Sequence, residues 1–268
     1  MNKVAVFTQT YGNDRQEIFD YRVKDKNFIA FIKNFDSFLS FHNCSDDTIN
    51  SLKEKQLGYN NYLIYNNINY GETLNITLNK FLDEGYNKFL FLQDDCFSVQ
   101  KNYNFYDNLK IFLENENYDM ISLCDVYSQN LLKDYYECEK YISGSSQDET
   151  IVDNIPDKYF FKSYDLLKIY KTNSSELAMS ILDNYPPYND GPFCADIEFF
   201  KNILGTNFIN QNSVWNLENY LLEKVKHNPI VKYSCNALLF RNSNIIGRND
   251  WNRQWELMWL NERFIEND

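Results

Sequence analysis

The sequence predicts an α/β protein built on a mostly parallel sheet with helices on both faces. Three observations predict it. Short apolar runs at 4–8, 38–41, 62–65 and 89–92 alternate with stretches of helical periodicity, the pattern of repeated strand–helix units. Those runs are apolar at consecutive positions, as strands buried on both faces are. The first, second and fourth runs each end in polar residues, so polar side chains gather along one edge of the sheet. In open α/β sheets that edge, outside the carboxyl ends of the strands, is where ligands bind.

Residues 4–8 read as the first strand, and Thr8-Gln9-Thr10-Tyr11-Gly12-Asn13 as the polar stretch that leaves it. A helical stretch runs from Arg15, capped by Asp14, to about Phe35; its periodicity fails around 23–27, which predicts a break. The strand 38–41 ends at His42-Asn43-Cys44-Ser45-Asp46-Asp47-Thr48, where Ser45 or Asp46 is placed to cap a helix over 47–56. After the strand 62–65, a polar loop leads to a helix with Leu74, Leu78, Phe81 and Leu82 on one face and Gly85 as its stop. The strand 89–92 then runs into Gln93-Asp94-Asp95.

Beyond the carboxylates the pattern loosens. A helix is expected over 105–115 and a strand over 120–124, followed by an irregular polar segment, 125–156, with Ser143-Gly144-Ser145-Ser146 as a loop. Residues 159–161 read as a strand, Ser174 as the cap of a helix through 182, and 185–192 as a loop rich in proline. A helix is entered over 195–200 and another covers 217–226. Short strands are expected at 230–233 and 238–240, and the tail over 251–264 is aromatic and amphipathic.

Composition bounds the function. A chain of 268 residues with 44% hydrophobic and 17% aromatic residues can bury one large core, and 8 Gly with 5 Pro argue against a linker-rich chain. We read residues 1–268 as one domain. A formal net charge of −12 argues against nucleic acid and against an anionic membrane surface as partners, since both attract basic proteins. The six Cys are scattered, with no CxxC and no zinc spacing, which reads as buried reduced thiols in a cytoplasmic protein. Neither a cleavable leader nor a transmembrane run is present. GxxxxGK[ST], GxSxG and a GxGxxG after the first strand are all missing, which removes P-loop, α/β-hydrolase and dinucleotide-dehydrogenase readings.

What remains is the pair Asp94-Asp95 at a buried strand's end. Carboxylates there suit a hard divalent cation, which takes oxygen ligands and shares a substrate's phosphates. The clusters around Thr10-Tyr11-Gly12, His42-Asn43-Cys44-Ser45-Asp46-Asp47-Thr48, Asn69-Tyr70-Gly71 with Asn75, and Gln93-Asp94-Asp95 follow one another in order and spacing over residues 4–97. In this the sequence resembles the GT-A class of nucleotide-sugar glycosyltransferases, family-2-like members in particular. The resemblance implies a GT-A-like fold, with a nucleotide-sugar-binding half, 1–124, and an acceptor-binding half, 125–268. It implies inverting transfer of a sugar from a UDP- or GDP-linked donor to a hydroxyl of a glycan or other acceptor. Asp95 would hold Mn²⁺ or Mg²⁺. Thr8, Thr10, Tyr11, His42, Asn43, Asn69, Gly71, Asn75, Gln93 and Asp94 would meet the donor. Asp196, in Cys194-Ala195-Asp196-Ile197-Glu198, would be the base, with Glu198 and Asp190 as rivals. Arg241, Asn242 and Arg248 are candidates for the diphosphate. Two positions depart from the family pattern: His42 stands where an Asp contacts the base, and Gln93 where the first Asp of the metal motif stands. A catalytically inactive GT-A-like domain that binds a glycan or partner is the alternative.

Overall fold

A computed structural model of the chain describes residues 1–98, 103–123, 165–172, 175–181, 192–205, 232–235 and 240–242, together with Leu257, Leu260, Asn261 and Phe264. The alternating apolar runs form four parallel strands: β1 (Val4–Tyr11), β2 (Asp36–His42), β3 (Asn61–Tyr65) and β4 (Lys88–Gln93). They pair in the order β3-β2-β1-β4. The chain steps outward from β1 to β3, then returns to the other side of β1 for β4. The order therefore reverses between β1 and β4, the switch point at which a crevice opens beyond the carboxyl ends of the strands. The polar strand ends belong to the sheet itself: Thr10 and Tyr11 pair with Phe41 and His42, and Gln9 with Gln93.

Period-two alternation sorts the side chains onto two faces. Val4, Val6, Leu39, Phe41, Leu90 and Leu92 form one core with Phe19, Phe28, Phe31, Ile32, Ile49, Leu52, Leu109 and Phe112. These come from α1 (Gln16–Arg22), α2 (Lys26–Lys33), α3 (Asp46–Glu54) and α5 (Asn104–Asn115). Ala5, Phe7, Phe38, Phe89 and Phe91 point the other way, against Leu74, Leu78 and Phe81 of α4 (Tyr70–Asp83) and Ile197 and Phe200 of α6 (Ile197–Leu204). Helices thus cover both faces of a mostly parallel sheet, the α/β class expected. The helix starts follow their caps: Ser45 accepts from Thr48 N–H, and Asn69 from Glu72 N–H. The predicted break at 23–27 is real, and Asp25 caps the second helix by accepting from Phe28 N–H.

Two segments differ from expectation. The helix expected from Ser174 through 182 is instead strand β8 (Ser175–Ile181), antiparallel to β7 (Asp165–Thr172). Its sequence alternates Glu176, Ala178 and Ser180 with Leu177, Met179 and Ile181, and strand pairing outweighs helix propensity. Before the expected helix at 195–200, Phe193–Asp196 forms strand β9, inserted antiparallel between β4 and β6 (Met120–Ser122). β10 (Lys232–Cys235) lies between β6 and β8, completing a nine-stranded sheet. A separate ribbon pairs β5 (Cys96–Ser98) with β11 (Phe240–Asn242). Leu260 and Phe264 of the tail pack with Ile18 and Phe97, and Tyr21 OH donates to Asn261 Oδ1 at 3.0 Å.

No described helix is long and apolar enough to cross a membrane. Cys44, Cys96 and Cys194 are buried thiols, not disulfides. The segments expected at 125–156, 159–161, 185–191 and 217–226 lie outside the described residues.

Candidate functional site at the switch point

The two sheet faces divide the expected site residues into two groups at the β1/β4 edge. On the face covered by α1 stand Thr8, Thr10 and Asp94. Thr8 is wholly buried and its hydroxyl accepts from Tyr59 OH at 2.9 Å. Among the residues expected to meet the donor, it is placed as a core residue. Thr10 is buried one turn of the pleat further out, and its Oγ1 has no hydrogen-bond partner.

Asp94 and Asp95 follow β4 directly, and both are buried. Asp94 Oδ2 lies 3.6 Å from Arg15 Nε, while Asp94 Oδ2 and Asp95 Oδ1 accept no hydrogen bond. Burial raises the pKa of Asp94, opposed by the charges of Arg15 and Arg22, which favour its ionised form. Asp95 is pushed up to about 7, first by burial and then by the neighbouring Asp94 carboxylate, with Arg15 and Arg22 opposing. Two adjacent buried carboxylates, each with one oxygen that accepts no hydrogen bond, are an arrangement that a cation relieves.

On the opposite face stand Gln9, Tyr11, Ser40 and His42. His42 Nε2 lies 2.6 Å from Ser40 Oγ and 3.3 Å from Gln9 Nε2. Nε2 thus faces both a hydroxyl and an amide, and the ring tautomer sets which of them donates. Tyr11 is 53% exposed and stacks on His42, with ring centroids 5.9 Å apart and planes 20° apart; Tyr65 lies against the other neighbour edge at 5.5 Å. Asn43, at φ 52°, takes the left-handed conformation that Asn tolerates. Its Nδ2 donates to Tyr11 OH at 2.9 Å, and its Oδ1 accepts from Asn67 N–H at 2.9 Å. The result is an aromatic shelf with one open face and a braced phenol.

Burial lowers the pKa of His42 to about 4. The unfolded chain binds this proton near 6.5 and the folded chain only near 4, so stability is complete above 6.5 and falls as pH drops towards 4. The loss approaches about 3 kcal/mol. Urea unfolding at pH 7 and pH 4.5 is therefore expected to show a larger loss for wild type than for His42→Gln. Equal losses would mean that His42 takes up its proton as readily in the folded chain as in the unfolded one.

The remaining expected residues are placed as follows. Asn69 is occupied as the cap of α4, Gly71 is buried in that helix's first turn, and Asn75 is half-buried further along it. Gln93 ends β4 opposite Gln9. Asn242 and Arg241 on β11 pair with Cys96 and Phe97, which brings this ribbon beside the carboxylate turn. Asp190 and Arg248 lie outside the described residues.

Asp196 is not brought to this edge. β9 runs antiparallel to β4 and pairs Asp196 with Lys88, the first residue of β4. At about 3.3 Å per residue, Asp196 stands roughly 17 Å along the sheet from Gln93. Its carboxylate caps α6 by accepting from Phe199 N–H at 2.8 Å and pairs with Lys88 Nζ at 3.0 Å. The residue expected as the base is thus engaged by Lys88 and by the start of α6, at the edge opposite Asp95. Glu198, in the first turn of α6, shares that far edge.

Among the described residues no three His, Cys, Asp or Glu side chains converge as a self-sufficient metal site. The chemistry fits a cation that takes one or two carboxylates from the protein and the rest from phosphate and water, as Mg²⁺ commonly does. Asp95, with an orphaned oxygen and, among the described residues, no arginine against it at ion-pair distance, is the direct candidate. Four residues escaped sequence reasoning: Gln9, Ser40, Arg15 and Arg22. Arg22 left a signal, a cation at helical spacing from the apolar Ile18 and Phe19.

No family model matches the chain, and no curated protein matches it. Among solved structures it is similar to the mannose-1-phosphate geranyltransferase from Thermus thermophilus (9% identity, 90% of this chain and 76% of that one, TM-score 0.45). It is also similar to S. aureus TarS 1-349 (12% identity, 99% and 73%, TM-score 0.43). A third is the galactosyltransferase LgtC in complex with donor and acceptor sugar analogs (10% identity, 81% and 70%, TM-score 0.38). At such identities and TM-scores these likenesses establish no kinship; the sheet order and the switch-point residues carry the reading that follows.

Proposed function

We propose that the chain is a metal-dependent glycosyltransferase that moves a sugar from a nucleoside-diphosphate donor to a hydroxyl of a glycan or other acceptor. The observation that carries this reading is the pair of buried carboxylates with orphaned oxygens at the β1/β4 switch point, with an exposed aromatic shelf beside it. A shelf suits a nucleobase or ribose, and the carboxylates suit the cation that accompanies a diphosphate. Asp95 would hold Mn²⁺ or Mg²⁺, which when bound offsets the charge on a departing diphosphate. Asp94, shared with Arg15, would orient the donor, as would Gln93. Tyr11, braced by Asn43, would stack on the nucleotide. The donor is UDP- or GDP-linked and 125–268 forms the acceptor half, as the resemblance implies. Inverting transfer, also implied by the resemblance, needs a base on the acceptor side, and the ion pair of Asp196 with Lys88 at the far edge speaks against Asp196 in that role.

The test is a thermal-shift screen of nucleotide sugars with and without Mn²⁺, since a ligand that binds only the folded state raises its stability by mass action. A shift that needs both components is expected; no shift with any donor would sink the proposal. Tyr11→Ala should weaken nucleotide binding about tenfold, from lost stacking of about 1–2 kcal/mol. Its melting temperature should hardly change, because the ring is half exposed. Titration calorimetry decides this, and an unchanged affinity would remove Tyr11 from the site. The placement of Asp196 favours a second reading, an inactive domain that binds a nucleotide sugar or glycan; metal-dependent binding without turnover on any acceptor would mark it.

A further inference from the structure

The turn that carries Asp94 and Asp95 is gripped from both sides by one short junction. Before the turn, Arg22 Nη2 donates to the Asp94 carbonyl at 2.8 Å. After it, Asp25 Oδ2 accepts from Ser98 N–H at 2.7 Å, and Asp25 Oδ1 accepts from the Ser98 hydroxyl. Arg22 ends α1 and Asp25 caps α2, so one short junction fixes both ends of the segment 94–98. Both side chains are buried. Arg22 lies over the rings of Phe28 at 3.6 Å and Phe97 at 4.7 Å, and its Nε and Nη1 have no hydrogen-bond partner.

That last fact is the informative one. A buried cation with unsatisfied N–H groups is costly to keep, and the hydrogen bond that Arg22 does make goes to the Asp94 carbonyl. We propose that Arg22 and Asp25 are positioning residues: they hold the Asp94–Asp95 turn in the geometry that receives the cation and diphosphate. The proposal rests on the reading of the site given above.

Asp25→Asn separates this role from helix capping. Asn caps helices about as well as Asp, but an amide has one acceptor oxygen. With that oxygen on Phe28 N–H, where it can still accept from the Ser98 hydroxyl, the amide N–H₂ faces Ser98 N–H and the bond to the backbone is lost. Arg22→Met keeps the volume and removes the donor to Asp94. Both variants are compared with the wild-type chain by hydrogen exchange over 94–98 without ligand, and by calorimetric binding of UDP and GDP in Mn²⁺. Tenfold faster exchange at Ser98 in Asp25→Asn, and at least tenfold weaker nucleotide binding in both variants, are expected. Arg22→Met is expected to melt lower as well, because buried Asp25 loses the charge of Arg22, so binding is measured well below its melting temperature and read per folded molecule; a merely structural arginine would leave that affinity unchanged. Exchange or affinity within twofold of wild type in the folded variants overturns the proposal. If the wild type itself binds neither nucleotide in Mn²⁺, the reading of the site falls, and exchange alone decides the grip.

Discussion

Asp95→Asn is expected to abolish Mn²⁺-dependent transfer and, in the same molecule, to raise the melting temperature in metal-free buffer at pH 8. Both effects come from one cause. The folded carboxyl takes its proton near 7, against an ordinary value of 3.8, because burial and Asp94 disfavour its charge. A group raised in this way contributes stability that is complete below the unfolded value and lost as pH rises through the folded one. At pH 8 the ionised Asp95 therefore destabilises the fold by about 2–4 kcal/mol. The amide is neutral and nearly isosteric, so Asn removes that penalty, worth roughly 5 °C or more for a chain of this size. At pH 5 the wild-type carboxyl is largely protonated and most of the difference should vanish. Mn²⁺ with a nucleoside diphosphate should stabilise the wild type and leave Asp95→Asn unmoved. Paired thermal melts at the two pH values, with and without Mn²⁺ and UDP or GDP, read all of this. A variant that melts lower at pH 8, or that still turns over donor at the wild-type rate, would remove Asp95 from the centre of the site.

The sequence made Asp95 legible because its information is local. A short buried run that stops at two carboxylates specifies a strand, its end and its chemistry within a few positions. The same holds for β1 and β2 and for the caps Ser45 and Asn69, each read from a few adjacent residues. Period two would also have shown that Thr8 shares a face with the core residues Val4 and Val6 rather than with Tyr11. What was illegible is non-local. Arg22 looks like the end of an exposed helix until α1 folds across the β4 turn, 72 residues on in the chain. The pairing of Gln9 with His42 depends on the registers of two strands. β8 reads as a helix because Ser174 resembles a cap, and only its antiparallel partner β7 decides otherwise. Asp196 is the clearest case, since Phe193-Cys194-Ala195-Asp196 does not say which way it runs. In a strand parallel to β4 its last residue would have stood beside Asp95. Running antiparallel, it stands at the opposite edge.

That reversal makes Asp196 the sharpest test of the architecture. Its carboxylate joins two burdens: the first turn of α6 and the ammonium of Lys88, whose side chain is only 4% exposed. Lys88 Nζ also donates to the Tyr118 carbonyl at 2.7 Å, so it stays buried whether or not Asp196 is there. Asp196→Ala removes the cap, worth about 1 kcal/mol, and leaves a buried cation without its counter-charge. Breaking such a pair from one side costs about 3–5 kcal/mol when both partners are buried. Asp196 is a quarter exposed, so water recovers part of this and a total loss of about 2–4 kcal/mol is expected. Asp196→Asn keeps the cap and one acceptor and should lose less. Neither variant touches the β1/β4 edge, so turnover per folded molecule should match wild type, measured below the lowered melting temperature with donor saturating. The alternative makes the opposite prediction: a base removed by Asp196→Asn would lower kcat by orders of magnitude with the melting temperature nearly intact. Urea titration and kcat on the same two proteins separate a residue that holds the far edge of the sheet from one that takes a proton from the acceptor.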